Sequence, residues 1–149
     1  MTKRFVFFPA SLLALLSLAF SVQAEQAKDF GDYAVHYSAF TTDILTPEVA
    51  KSYNIPRSKN RILLNISVLK KIMGTTGQPV RAKIEATATN LSAQLKQLEV
   101  RELNDHGAIY YIAETTVSHK ETLKFNISVL PEGVTTPFVF SFQQQFFVD

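Results

Sequence analysis

The sequence predicts an all-β protein, an immunoglobulin-like antiparallel β-sandwich of about seven strands with one short helix. Most segments after residue 24 alternate apolar and polar side chains, as strands with one buried face do. Turn-forming residues separate these segments at fairly regular spacing, and no alternation of strands with long helices indicates a parallel sheet. Because cysteine and tryptophan are absent, the likeness to antibody domains concerns architecture only. A small β-barrel is the alternative.

The first 24 residues are predicted to be a cleaved signal peptide. Lys3 and Arg4 precede an apolar run from Phe5 to Phe20, and Val22 and Ala24 then provide small residues at positions −3 and −1 of a cleavage site after Ala24. The alternative is a membrane anchor, but a run of sixteen residues that contains a proline is short for a span. Removing 24 of the 149 residues leaves 125, which predicts a single domain over residues 25–149.

Composition restricts the classes of partner. Without cysteine, the exported domain can be neither a disulfide scaffold nor a protein lipidated at a cysteine, so packing must stabilise it. Removal of Lys3 and Arg4 leaves 13 basic and 13 acidic residues, and a neutral domain gives no reason to expect nucleic acid as a partner. We therefore expect a periplasmic protein with no stable membrane insertion after signal cleavage, and with a periplasmic protein as its partner.

The first part of the domain predicts an irregular lead-in, a strand and the single helix. Residues 25–31 are polar and are expected to be irregular, whereas residues 33–39 alternate and are expected to form a strand. Thr46-Pro47-Glu48 is typical of a helix start, with threonine as the N-cap and proline in the first turn. A helix of about two turns is expected to end near Tyr53, because Asn54 suits a left-handed C-terminal position.

The stretch from Arg57 to Lys71 is the strongest strand signal in the first half, and its neighbours are expected to pair with it. One face of this stretch is wholly apolar and the other is mixed. The apolar face consists of Ile62, Leu64, Ile66 and Val68, and the mixed face of Leu63, Asn65, Ser67 and Leu69. This pattern predicts a strand with one face in a core.

The second half predicts five further strands. They are expected at residues 80–90, 95–103, 108–117, 123–129 and 138–147. The first could instead be an alanine-rich helix, but strict alternation favours a strand. The residues from Asn104 to Gly107 are typical of a tight hairpin turn, because asparagine, aspartate and glycine tolerate the required backbone conformations. Alternation assigns Ile84, Ile127 and Phe140 to the core, together with Ile66.

The sequence contains no recognisable catalytic arrangement, so neither an enzyme activity nor a cofactor is expected. It lacks a G-x-S-x-G elbow and a glycine-rich phosphate loop. His36, His106 and His119 are the only histidines, and none lies in a metal-ligand pattern. We expect each to face solvent or to form an ordinary hydrogen bond, and the alternative is a transition-metal site assembled across loops.

The segment from Tyr53 to Arg61 is the candidate interaction surface. It places Arg57, Lys59 and Arg61 close together beside Tyr53, although a plain connection could be much shorter. An arginine beside an aromatic ring suits a carboxylate, a phosphate or an acidic patch on a partner. The structural alternative is that Arg57 folds back onto the last carbonyls of the helix or pairs with Glu48.

The residues 47–71, PEVAKSYNIPRSKNRILLNISVLKK, resemble a bacterial family, domain of unknown function 4426 (DUF4426). The distinctive part is the order Pro47, Glu48, Ala50, Tyr53, Asn54 and then Arg57-Ser58-Lys59. The similarity extends over the whole mature chain, with an alanine- and threonine-rich strand and an aromatic C-terminus. The resemblance implies an exported periplasmic protein of Gram-negative bacteria with an immunoglobulin-like sandwich. It implies no catalytic residues, because the family has no assigned activity.

Two functions of different class follow from these observations. The first is a non-catalytic interaction or accessory module. The second is a small-ligand or metal-binding protein that uses the histidines and nearby acids. Convergence of His36, His106 and His119 to ligand distance would favour the second.

Overall fold

The computed structural model describes residues 26–149, so the predicted signal peptide lies outside the described residues. The predicted antiparallel sandwich of two sheets is confirmed, but the described residues form ten strands rather than about seven. The strands are β1 (Gln26–Phe30), β2 (Tyr33–Thr41), β3 (Arg61–Lys70), β4 (Gln78–Pro79), β5 (Ala82–Asn90), β6 (Leu95–Leu98), β7 (Arg101–Asp105), β8 (Ala108–Thr116), β9 (Thr122–Pro131) and β10 (Phe138–Gln145). A 3-10 helix (Thr42–Ile44) and the short helix α1 (Pro47–Ser52) connect β2 to β3.

The ten strands form a six-stranded and a four-stranded sheet. The first has the order β1-β2-β3-β8-β7, and β4 pairs with the end of β3. The second has the order β10-β9-β5-β6. The rings of Phe30 and Phe138 stack with their centroids 4.7 Å apart, so the β1 edge of one sheet lies over the β10 edge of the other. In the part of the chain that the structure describes, no helix is long and apolar enough to cross a membrane.

The core lies between the sheets, where the sequence alternation predicts it. The most completely buried aliphatic and aromatic side chains are Val35, Ile62, Leu64, Ile66, Val68, Leu123, Phe125, Ile127 and Val129. The predicted burial of Ile66, Ile127 and Phe140 is confirmed. Ile84 is only partly buried, and the expectation for it is wrong. The reason is that β6 pairs only with the Ala86–Thr89 part of β5, which leaves Ile84 beyond the end of that neighbour.

The predicted irregular lead-in is wrong, because residues 26–30 form the edge strand β1. This strand forms a hairpin with β2, and Gly31 takes the positive φ of 68° that the turn requires. The Asp29 carboxylate accepts a hydrogen bond from the Gly31 amide at 3.0 Å and forms an ion pair with Lys71. The lysine ammonium, followed by the amide, lowers the pKa of Asp29. Most side chains of this edge strand are exposed, so burial leaves no alternating pattern in its sequence.

The single strand expected at residues 95–103 is also wrong, since the structure has two strands there. β6 belongs to the four-stranded sheet and β7 to the six-stranded sheet, and residues 99–100 cross between them. Leu98 is buried in the inter-sheet core, whereas Leu103 packs on the outer face of the six-stranded sheet. Burial of these two leucines in different places explains why no single face is apparent in the sequence.

The predicted helix and hairpin turn are confirmed. Thr46 is the N-cap of α1, and its Oγ1 accepts a hydrogen bond from the Val49 amide at 3.3 Å. Asn54 has the left-handed conformation expected after the helix, with a φ of 55°. The turn between β7 and β8 has positive φ at both His106 (46°) and Gly107 (87°), as a tight two-residue hairpin loop requires.

Candidate functional site

A groove of about 160 Å³ lies on the outer face of the six-stranded sheet, between that sheet and α1. We call it the α1 groove. Most of its lining is apolar, and polar groups occupy one part of it. The lining residues are Phe40, Leu45, Val49, Tyr53, Ile55, Leu63, Asn65, Leu103, Asp105, Tyr110 and Ile112. Concave, mainly apolar sites with a few polar groups are the usual form of binding sites in proteins.

The wall of the α1 groove forms because the mixed face of β3 is covered. Leu63 and Asn65 point away from the inter-sheet core, since they alternate with its buried residues. Leu63, Ile55 and Ile112 form a second apolar cluster, and each is at most 6% exposed. The chain that follows α1 therefore covers this part of the sheet, and α1 adds the partly exposed Val49 at the groove.

One buried threonine fixes this segment to the sandwich. Thr42 is fully buried, and its Oγ1 lies 2.7 Å from the Pro56 carbonyl oxygen, to which it donates a hydrogen bond. The same oxygen accepts a hydrogen bond from the Ser58 amide at 2.9 Å. The two bonds connect the 3-10 helix to the chain beyond α1, so Thr42 determines where the segment that closes the groove lies.

Two phenols and one carboxylate form the polar part of the α1 groove. The pKa of the Tyr53 hydroxyl is raised, first by its removal from water, then by a hydrogen bond to the Asp105 carboxylate and by the charge of that group. The nearby Tyr110 raises it further. Oδ1 of Asp105 also lies 2.6 Å from Nδ1 of His106. This part of the groove therefore offers hydrogen-bond acceptors next to aromatic surface.

A buried acceptor without a partner lies among the lining residues. Oδ1 of Asn65 is buried and has no hydrogen-bond partner among residues 26–149. An unsatisfied buried polar atom costs about 1–3 kcal/mol, so most such atoms in folded proteins have a partner. A bound group that donates an N–H or O–H to Asn65 would remove this cost, which favours a ligand with a donor on an apolar body.

The side chains of the predicted interaction surface make different contacts. Tyr53 lines the α1 groove. Lys59 Nζ lies 3.4 Å from the main-chain oxygen of Asp149, and Arg61 Nη1 lies 3.6 Å from Glu114 Oε1. The two basic side chains thus contact different parts of the protein.

Arg57 folds back, as its structural alternative proposes, but onto a different acceptor. Its Nη2 donates a hydrogen bond to the main-chain oxygen of Asp43 at 2.9 Å. That carbonyl belongs to the 3-10 helix, and neither the last carbonyls of α1 nor Glu48 is the acceptor. The bond supports the same connection that Thr42 makes.

The three histidines lie on separate elements. His36 is on β2, His106 is in the β7–β8 turn, and His119 is in the turn before β9. Nδ1 of His119 accepts a hydrogen bond from the Val148 amide at 3.1 Å. Within residues 26–149, no group of three or more histidine, cysteine, aspartate or glutamate side chains is placed to hold a metal ion.

The sequence prediction missed Asn65, Leu103, Asp105 and Tyr110 as members of a site. The available signal was Leu63, an apolar residue on the outer face of a strand whose inner face is also apolar. Such a residue indicates that another segment packs on the outer face of the sheet. Which segment packs there depends on the path of residues 42–60, and the alternation of apolar and polar residues does not predict that path.

Comparison with known proteins identifies relatives of this chain. The family model described as domain of unknown function (DUF4426) matches residues 27–149. A crystal structure of a DUF4426 family protein from Pseudomonas aeruginosa PAO1 has a TM-score of 0.74 and 35% sequence identity, covering 86% of this chain and 98% of that one. Among the curated proteins compared, none matches.

Two structures of FetP from uropathogenic Escherichia coli strain F11 share the fold at low identity. The protein as isolated, expressed recombinantly in the periplasm, has a TM-score of 0.58 and 12% identity, covering 83% of this chain and 94% of that one. A copper-bound variant of FetP has a TM-score of 0.56 and 11% identity, covering 83% and 95%. Identities this low show a common fold alone.

Proposed function

Because the chain belongs to the DUF4426 family, a family of unknown function, we propose a function from its site: it is a non-catalytic periplasmic module that binds a protein partner through the α1 groove. The observation that carries the proposal is the open, mainly apolar groove that contains the unpartnered Asn65 acceptor. The residues that line the groove include no serine, threonine, cysteine or lysine, and the Asp105 carboxylate contacts Tyr53 and His106. Recognition is therefore the activity that this lining supports best.

The chemistry of the groove defines the partner group. Apolar walls favour an aliphatic or aromatic side chain, and the oxygens of Asn65 and Asp105 favour an N–H or O–H donor at its end. A tyrosine, a tryptophan or the stem and ammonium of a lysine on the partner fits this description. Val49, which lines the groove, and Ile44, which precedes the lining residue Leu45 in the chain, are both exposed apolar side chains that a partner could cover.

The alternative function is binding of a small molecule or a metal. A small aromatic molecule could occupy the groove, which has a volume of about 160 Å³. The capture experiment below distinguishes such a ligand from a protein partner. The copper-bound FetP variant suggests the metal form, but its 11% identity shows only the fold. The described part of this chain supplies no cluster of three metal-ligating side chains, so the α1 groove is the better supported site.

The periplasmic location can be tested directly on the protein. Mass spectrometry of protein from a periplasmic extract is expected to show Glu25 as the N-terminal residue, because the segment before it has the features of a signal peptide. Intact Met1 on protein in the soluble fraction would contradict export by cleavage and would favour the membrane-anchor alternative.

The recognition role is tested by capture of partners from the organism's own periplasm. Val49→Asp is expected to reduce recovery of the bound protein about tenfold or more, because it places a carboxylate at an apolar contact. The helix should tolerate the change, since acidic residues are favourable in a first turn. Ile72→Asp is the matched control, because Ile72 is 44% exposed and Val49 40% exposed.

Four results of the capture experiment would decide against a protein partner at the α1 groove. Equal recovery with Val49→Asp and the unchanged protein would show that the groove is not the contact. Equal loss with Ile72→Asp would indicate a general effect of charge. Loss with Arg57→Ala alone, at unchanged thermal stability, would move the contact to the basic segment around Arg57. Absence of any captured protein, together with binding of a small molecule, would favour the ligand alternative.

A further inference from the structure

Within residues 26–149, the strand β10 is the end strand of the four-stranded sheet and carries no charged side chain. The other strands at the ends of the two sheets, β1, β6 and β7, have five, four and five residues and carry charged side chains. β10 has eight residues, Phe138–Gln145, and none is charged. Natural proteins protect edges by shortness, charge or proline, because an open edge pairs readily with another strand. Among the described strands, β10 pairs with β9 alone.

We propose that β10 pairs antiparallel with β10 of a second copy of this chain, which joins two four-stranded sheets into one of eight strands. The absence of charge favours a second copy over an unrelated strand. In a two-fold pairing the residue on the axis faces its own copy, and a charge there would face the same charge and be repelled. β10 meets this condition along its whole length, unlike the other edges.

The side-chain pattern of β10 fits a pairing centred on Ser141. Antiparallel partners lie on the same face of a sheet, so Phe140 of one copy would lie opposite Phe142 of the second copy on the core side. Phe138 and Phe142 are only partly buried at this edge, and a neighbouring strand would cover them. On the outer side, the exposed Val139 would lie opposite the neutral Gln143 of the second copy.

The inner face of β10 is already occupied, so a partner can reach only its edge and its exposed outer side. Phe138 stacks on Phe30 of β1, and Phe140 and Phe142 both pack against Tyr37 of β2, with centroid distances of 5.0 and 4.7 Å. This packing fixes the strand before any partner arrives. A rigid edge loses little conformational freedom on pairing, which favours association.

Sedimentation velocity on protein purified from the periplasm after expression of the full sequence tests the proposal. We expect a dimer, and we expect Ser141→Lys to weaken it about tenfold or more because two ammonium groups would meet at the axis. Ser92→Lys is the matched control, since Ser92 is exposed in the β5–β6 turn and the same substitution there leaves β10 unchanged. Thermal unfolding of both variants verifies that they are folded.

A cysteine variant provides a second, independent measurement. The chain has no cysteine, so a disulfide-linked dimer of Ser141→Cys can join only residue 141 to its own copy. Mild oxidation is expected to link Ser141→Cys and to leave Ser92→Cys mainly unlinked. A monomer at every concentration, or a dimer that Ser141→Lys does not weaken, would overturn the proposal, even if the monomer bound a different protein. Neither result bears on the α1 groove, which lies on the other sheet.

Discussion

Phe125→Ala is expected to lower the free energy of unfolding by about 3–5 kcal/mol, because a large buried ring is removed and a cavity remains. Phe125 lies on β9, in the centre of the four-stranded sheet, and is fully buried. Its ring stacks on Phe142 at a centroid distance of 4.8 Å and meets the edge of Phe146 at 6.4 Å. The substitution therefore removes aromatic contacts to β10 and to the C-terminal residues together.

Urea unfolding followed by circular dichroism measures this effect. Lys124→Ala is the matched control, since Lys124 is the preceding residue of β9 and is exposed. Its free energy of unfolding should stay within about 0.5 kcal/mol of the unchanged protein. Similar losses at the two positions would show that the faces of β9 are assigned wrongly.

Thr42→Val is expected to lower the free energy of unfolding by about 2–3 kcal/mol, because it leaves two partly buried polar groups without a partner. Valine preserves the shape of threonine, so the loss reflects hydrogen bonding more than packing. The affected groups are the Pro56 carbonyl, now 2.7 Å from Oγ1, and the Ser58 amide, now 2.9 Å from it. The segment beside the α1 groove should also become less stable locally.

Two readouts separate this prediction from a general packing effect. Thr42→Ser retains the hydroxyl and should recover most of the lost stability, whereas Thr136→Val, at an exposed position, should change it by less than about 0.5 kcal/mol. Hydrogen exchange of the Ser58 amide should become faster in Thr42→Val than in Thr42→Ser. If serine were as destabilising as valine, the hydroxyl would not be what holds the segment.

Local features account for the predictions that the structure confirms. The alternation of Ile62, Leu64, Ile66 and Val68 predicts which face of β3 is buried, since side chains of a strand point alternately to its two sides. The Thr46 cap and the glycine of the β7–β8 turn act over three or four residues, so their neighbours in the chain suffice to reveal them. The resemblance to DUF4426, drawn from the order Tyr53-Asn54 followed by Arg57, is confirmed by the family model that matches residues 27–149.

Features that depend on a neighbouring strand were not accessible in this way. β1 is stabilised by its pairing with β2, and its own exposed side chains carry no alternating signal. The burial of Ile84 depends on how far β6 extends along β5. The crossing from one sheet to the other at residues 99–100 depends on the burial of Leu98 between the sheets and of Leu103 on the outer face of the six-stranded sheet. In each case the deciding contact is distant in sequence.

The sequence by itself determined the sandwich class, the inner faces of the central strands, the helix start and the tight turns. These properties follow from hydrophobic periodicity and from the backbone preferences of single residues. Only the tertiary structure decided that Tyr53 meets Asp105, that Arg57 meets the Asp43 carbonyl, and that α1 leaves a groove over Leu63. Arg57 and the Asp43 carbonyl, for example, lie 14 positions apart in the chain, and they meet only because the folded chain brings them to the same place. Contacts of this kind depend on how the whole chain packs, so no local pattern of residues predicts them.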